Sequence, residues 1–280
     1  MRTLKLATRA SRLALAQAGL VQSALEALGQ TVELVEVTTR GDRDRKSPLV
    51  SIGGQGLFVR EVERCLLDGT ADLAVHSGKD LPYELAEGLL IAGVPKAASP
   101  CDMLVARQDI PLRTVGTGSP RRVLECRQLL PDAAFREIRG NVDTRLRKLR
   151  DGDYDAVVLA EAGLQRLGVD LSDLDVRVLS PDECLPAPCQ GILAVECRED
   201  DGELIALLEQ ITDPMTRARF DAERKLFCLL QADCSVPLGV HCAVSDNTYT
   251  LSALFGDRKA VRTGTDIDLL CEEIRQELTS

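Results

Sequence analysis

Apolar positions recur along the chain in two rhythms, and the rhythm switches every ten residues or so. TLKLAT (3–8) reads as a strand. Residues 12–28, with Leu13, Leu15, Ala16, Leu20, Ala24 and Leu28 apolar, have helical spacing, with Ser11 as N-cap and Gly29 as the stop. TVELVEVTT (31–39) is a strand, and GGQG (53–56) a loop opening a helix near 57–68. ADLAVHS (71–77) and LLIAGV (89–94) are apolar enough for buried strands. After PKAASP (95–100), a linker by composition, the alternation resumes. Strands are expected at 102–107, 114–118, 134–138, 155–160 and 176–180, with helices at 120–130, 141–150 and 161–167. A Pro-rich stretch, SPDECLPAPCQG (180–191), then leads to the strand ILAVEC (192–197).

Two Pro-rich segments bracketing one α/β block predict a discontinuous architecture. Domain 1 takes residues 1–95 and 191–211, domain 2 takes 100–185, and domain 3 takes 213–280. The last begins with a helix at about 214–230 carrying Arg217, Arg219, Arg224 and Lys225 on its expected wet face. Short strands near 237–245, 248–255 and 259–264 and a helix at 266–278 complete a small α+β domain. Two α/β lobes joined by two chain crossings predict a cleft, since open α/β sheets take ligands at the carboxyl ends of their strands.

A formal charge of −10 with 45% hydrophobic residues fits a globular protein and disfavours nucleic acid and anionic membrane surfaces as partners. No apolar run reaches the roughly 18 residues of a membrane span. Arg9 and Arg12 interrupt the first segment, so an export signal is not expected. The ten cysteines show no C-x-x-C pair and are expected as free thiols in the cytoplasm. With only two histidines, no metal site is expected. The basic residues are 27 Arg and 7 Lys. Arginine forks match carboxylates two bonds at a time, so the excess reads either as a store of carboxylate-binding groups or as composition and surface ion pairs.

Placement carries more information than the count. Arg9 and Ser11 follow the first strand, and His76, Ser77, Lys79 and Asp80 follow strand 71–76. Thr117, Ser119, Arg121 and Arg122 follow strand 114–118, while Arg139, Asn141 and Arg145 follow strand 134–138. Arginines at three strand ends predict a cationic rim suited to several carboxylates or phosphates, with structural ion pairs as the other reading. Asp80 is the candidate acid/base or cation-stabilising group, or else the cap of a turn before Pro82. His76 reads as a satisfied strand-end histidine. Cys234, in QADCSVPLG, stands in a polar loop, and the adjacent Asp233 argues against redox use.

The segments ATRASRLALAQA, VTTRGD, GGQGLF, ADLAVHSGKDLP, VGTGSPRR, IRGNVDTRL, YDAVVLAEAGLQRLG and LPAPCQGILAVECR, with the Cys234 loop, occur in that order. In this the chain resembles the porphobilinogen deaminase (hydroxymethylbilane synthase) family along essentially its whole length. The resemblance implies two lobes like type II periplasmic binding proteins plus a small third domain. It implies condensation of four porphobilinogen units into a linear tetrapyrrole with loss of ammonia, by a monomer. It implies a dipyrromethane cofactor in thioether linkage to Cys234. By the same resemblance Asp80 is catalytic, stabilising the cation that forms. Lys79, Ser119, Arg121 and Arg122 hold the cofactor, with Thr117 in support. Arg9, Arg139, Arg145 and Arg166 bind substrate and growing chain, with Ser11 and Gln190 in support and Phe58 as the loop aromatic. Each pyrrole bears an acetate and a propionate, which accounts for an arginine-lined site in an acidic protein.

The chain departs from the family pattern at Gln55 (usually Lys), Gly78 (usually Met), Cys189 (usually Gly), and Ala232 and Asp233 (usually two Gly). These changes bear on loop motion, turnover and cofactor attachment. They leave the aspartate, the loop cysteine and the central arginines in place.

Overall fold

A computed structural model describes residues 2–38, 59–232 and 236–280. The chain divides into two compact units, Met1–Ala98 with Ile192–Arg224 and Ser99–Gly191 with Lys225–Ser280. In chain order the described elements begin β1 (Thr3–Arg9), α1 (Arg12–Ala27), β2 (Thr31–Val37), α2 (Arg60–Leu67), β3 (Leu73–Ser77) and β4 (Leu89–Gly93). Next come β5 (Asp102–Arg107), β6 (Thr114–Gly116), α3 (Pro120–Leu129), β7 (Ala134–Arg136), α4 (Val142–Arg150), β8 (Ala156–Ala160), α5 (Glu161–Leu167) and β9 (Leu174–Leu179). The chain closes with β10 (Leu193–Arg198), α6 (Gly202–Glu209), α7 (Pro214–Leu230), β11 (Leu238–Ser245), β12 (Thr248–Phe255), β13 (Arg258–Gly264) and α8 (Ile267–Thr279).

The strands form sheets of order β2-β1-β3-β10-β4, β7-β6-β8-β5-β9 and β11-β12-β13. The first two repeat one plan. In the first, β1 runs parallel to β2 and β3, and β10 runs antiparallel between β3 and β4. In the second, β6 runs parallel to β7 and β8, and β5 runs antiparallel between β8 and β9. Each reversed strand is the one the chain lays down on entering that unit from the other: β5 after the first crossing, β10 after the second. This is the plan of type II periplasmic-binding-protein lobes, and the fold is mixed α/β with a small C-terminal β-rich part.

Strands buried on both faces need continuous apolar runs. Val105, Val157 and Leu159 pack with Ile138, Leu146 and Leu149 on one face of the second sheet, and Leu104, Val158, Val115 and Leu179 form a second cluster. In the first unit Leu4, Leu6, Leu73 and Val195 pack against Val21 and Leu25 of α1 and Leu204 and Leu208 of α6. In the third sheet, α8 packs on β12 and β13 through its buried Leu270, Ile274 and Leu278.

Helix starts sit where strands deliver the chain, and the caps are local. Ser11 accepts from the Ala14 amide at 3.2 Å, and Asn141 from the Thr144 amide at 2.9 Å. Ser119 accepts from the Arg122 amide at 3.4 Å, with Pro120 at the first helical position. Gly140, φ +113°, precedes the Asn141 cap, and a Cβ there would lie 2.7 Å from that of Thr144, so only glycine makes this turn. Cys189, where the family pattern has glycine, takes the left-handed φ of +58°.

Two expectations change. Helix α6 was not anticipated from the sequence; Asp201 caps it by accepting from the Leu204 amide at 3.1 Å. The expected wet face of α7 holds only in part: Lys225 is exposed and Arg217 pairs at 2.9 Å with the exposed Asp221, but two of the four cations turn inward. Arg219 pairs at 2.7 Å with the fully buried Glu223, and Arg224 donates to the Pro82 and Tyr83 carbonyls at 2.6 and 2.9 Å. These two long cations satisfy acceptors of the fold instead of solvating a surface.

Candidate functional site

In the first unit, β1 ends on Arg9 and β3 ends on Ser77, followed by a single 3-10 turn, Gly78–Asp80. Gly78 is buried, and its amide donates to the Ile192 carbonyl at 2.9 Å, so Lys79 and Asp80 are presented outward on an anchored turn. Arg9, Gln17, His76, Ser77 and Asp80 line one small recess, floored by Val62 and Val75. Gln17 donates to Ser77 Oγ at 2.9 Å. His76 is satisfied as expected: its Nε2 lies 2.9 Å from Glu196 Oε2, and both side chains are buried. Ser11 is half-buried and serves as the α1 cap.

The second unit holds most of the arginines that the resemblance singles out. Arg121 and Arg122 do not stand on a rim, as expected, but are buried. Arg121 Nη2 reaches Asp102 Oδ2 at 2.8 Å, and Arg122 Nη2 reaches Asp102 Oδ1 at 2.6 Å. Their remaining groups donate to the Leu185 carbonyl at 2.6 Å and the Val158 carbonyl at 3.0 Å. Burial works to raise the Asp102 carboxyl, but the two guanidiniums override it and hold it far below the usual carboxylate range. Gln190 adds a bond to Asp102 at 3.0 Å and one to the Pro100 carbonyl at 2.7 Å. Thr117 is buried and accepts from the Ser119 amide at 3.2 Å.

Arg139 pairs with Glu137 at 2.7 Å and stays half-buried. Arg145 donates to the Gly140 carbonyl at 2.8 Å, and Arg166 to the Gly191 carbonyl at 2.6 Å. Among the described residues neither makes an ion pair. Burial lowers both to about 10, with Arg122 pushing Arg145 the same way. They remain charged at neutral pH as half-buried cations with no counter-ion among the described residues. Elsewhere Arg150–Asp173, Arg177–Glu183 and Arg262–Glu277 are surface pairs. The arginine excess therefore serves both of its readings, in different places. Phe58 and Cys234 lie outside the described residues.

Asp102, Gln17 and Glu196 are the members that sequence reasoning missed. Each is a polar residue inside an apolar run: Asp102 opens DMLVAR, Gln17 shares a stripe with Val21 and Leu25, and Glu196 interrupts ILAVEC. Among the described residues no group of three or more His, Cys, Asp or Glu could hold a metal ion, and no helix is long and apolar enough to cross a membrane.

Fold and site together define a protein of two type II α/β lobes whose second unit carries half-buried arginines with no ion pair among the described residues. The chain matches the family model described as porphobilinogen deaminase, dipyromethane cofactor binding domain, over residues 4–206. It is 46% identical over 261 residues to the porphobilinogen deaminase of Syntrophobacter fumaroxidans, covering 90% of this chain and 84% of that protein. It is 44% identical over 270 residues to that of Roseiflexus castenholzii, covering 93% and 88%. The periplasmic VFT2 domain of Bordetella pertussis BvgS gives a TM-score of 0.45 at 16% identity, over 80% of this chain and 92% of that one, too distant to bear on function. The chain belongs to the porphobilinogen deaminase family.

Proposed function

We propose that Asp80 is the catalytic carboxylate of a hydroxymethylbilane synthase and that the arginines of the second unit hold the carboxylates of its pyrroles. As a family member the chain is a transferase that joins four porphobilinogen molecules into the linear tetrapyrrole hydroxymethylbilane with release of four ammonia, using a dipyrromethane cofactor. One observation carries the assignment of the arginines. Two buried guanidiniums share a single carboxylate, and Arg122 Nε is buried without a partner among the described residues. A buried cation left uncompensated is costly, and an incoming carboxylate relieves that cost. Arg145 and Arg166, half-buried and with no ion pair among the described residues, add two more cations that burial disfavours. The donor set thus fits a ligand bearing several carboxylates.

In this reading Arg121 and Arg122 are fixed by Asp102 and, with Lys79, Ser119 and Thr117, hold the dipyrromethane, whose anchor is Cys234. When bound, that group supplies the nucleophilic pyrrole carbon and the covalent tether for the product. Arg9, Arg139, Arg145 and Arg166 orient the substrate's acetate and propionate, with Ser11, Gln190 and Phe58 in support. Asp80 stands on its anchored turn at the recess and stabilises the positive charge that develops as ammonia leaves. The division into domains 1–95 with 191–211, 100–185 and 213–280, a monomeric state and a cytoplasmic setting belong to the same proposal. The charge of −10 and nine free cysteines among the described residues support that setting and argue against nucleic acid.

Asp80→Ala tests it. Porphobilinogen consumption by the loaded enzyme should fall by about 10²–10³, the usual cost of removing one preorganised stabilising group. Consumption at the wild-type rate would remove Asp80 from the mechanism.

A further inference from the structure

The His76–Glu196 pair has no part in the mechanism above, yet it borders the recess that holds Asp80. β3 and β10 are antiparallel with Ala74 opposite Glu196 and Ala194 opposite His76, so the two side chains are diagonal neighbours on one face of the sheet. Glu196 is fully buried, and its Oε1 has no partner among the described residues. Its Oε2 contacts the imidazole, at 2.9 Å from Nε2. A histidine whose one ring nitrogen is held by a carboxylate has its tautomer and orientation set. With Nε2–H directed at Glu196, Nδ1 is an acceptor, and His76 makes no other hydrogen bond among the described residues. Five groups bear on the ring's charge. Glu196 comes from β10 and Glu63 from α2, with Arg60 beside Glu63, while Arg9 and Asp80 share the recess. Burial, and next Glu196, push the Glu63 carboxyl up, so this side of the imidazole is rich in acid groups.

We propose that His76, oriented by Glu196, is a substrate-positioning residue, whose Nδ1 accepts a hydrogen bond from the cationic aminomethyl group of the incoming porphobilinogen beside Asp80. The inference rests on the reading that this recess takes the substrate. Porphobilinogen has a cation at one end and carboxylates on the ring. The acceptors of this recess suit the cationic end. An imidazole backed by a buried carboxylate is a stronger acceptor than one in water, and it loses that capacity when protonated.

Two substitutions separate the ring nitrogens. His76→Gln keeps a donor for Glu196 and removes the acceptor, whereas His76→Asn keeps an acceptor near the Nδ1 position and gives up the Glu196 contact. Intact mass first establishes that each variant carries its dipyrromethane. His76→Gln should raise KM about tenfold with kcat within about twofold, the pattern of lost uniform binding, and His76→Asn should recover most of that rise. A loaded His76→Gln enzyme with wild-type KM overturns the proposal. Should His76→Gln fail to fold, Glu196→Gln decides in its place: a raised KM with kcat within about twofold supports the pair, and an unchanged KM refutes it. Asp80→Ala distinguishes the two levels. If it turns over normally, the recess is not the substrate site; if it is inactive while His76→Gln is unaltered, only the role of His76 falls.

Discussion

Asp102 shows how one residue can organise a site without belonging to any motif. It is fully buried, and it is the shared counter-ion of Arg121 and Arg122. Asp102→Ala would leave two guanidiniums facing each other in the interior, and breaking a buried pair in this way costs about 3–5 kcal/mol. Chemical denaturation of the cofactor-free chain should show that loss. The pH dependence has a definite sign. The Asp102 carboxyl is depressed in the folded state, so its contribution is complete above the unfolded value of about 3.9 and fades as the pH falls below it. Asp102→Asn should lack that acid-limb fade, and a variant that keeps the wild-type acid slope would refute the assignment. Caps such as Ser11, Ser119 and Asn141 could be read from the sequence because their partners lie three residues away. Asp102, Gln17 and Glu196 could not, because their partners lie 20, 60 and 120 positions off or are drawn from other strands. The only local sign was a polar residue where the apolar rhythm asked for none.

At the scale of elements, alternation was the strongest signal. Runs such as DMLVAR and AVVLA form strands because both faces of their sheet are covered. Helix α6 escaped notice because eight residues with Leu204, Ile205, Leu207 and Leu208 apolar do not separate a short helix from a buried strand. Helix α7 was expected, but not the inward turn of Arg219 and Arg224, since sequence gives a helix's faces only when one is apolar. Its start is also tied to the crossing segment. Asp213 Oδ1 accepts from the Thr216 amide at 2.8 Å and its hydroxyl at 2.7 Å, while Thr216 Oγ1 accepts from the Ala97 amide at 3.0 Å. Asp213→Ala should therefore destabilise the fold by about 1 kcal/mol, as loss of an N-cap does, and shift the denaturation midpoint without changing its slope. A midpoint equal to wild type would mean that Thr216 holds the helix start unaided.

At the scale of the whole molecule, two Pro-rich crossings predicted a discontinuous chain. They could not tell which strand of each sheet runs backwards, because strand order is decided by pairings such as β5 with β8, far apart in sequence. Net charge behaved similarly. A total of −10 counted against nucleic acid and gave no sign of Arg145 and Arg166, cations of the second unit with no ion pair among the described residues. Gln55 and Asp233 lie outside the described residues, but another of the chain's departures falls near the same machinery: Cys189 holds a left-handed backbone immediately before Gln190, which braces Asp102. The central claim is that this chain builds a tetrapyrrole on a dipyrromethane covalently held at Cys234. The most direct test is the intact mass of protein purified from a haem-competent host, wild type beside Cys234→Ser. The wild-type chain should be heavier than its sequence by one dipyrromethane, and Cys234→Ser should have the bare mass; a wild-type chain at its bare mass, or an adduct that survives in Cys234→Ser, would contradict the account.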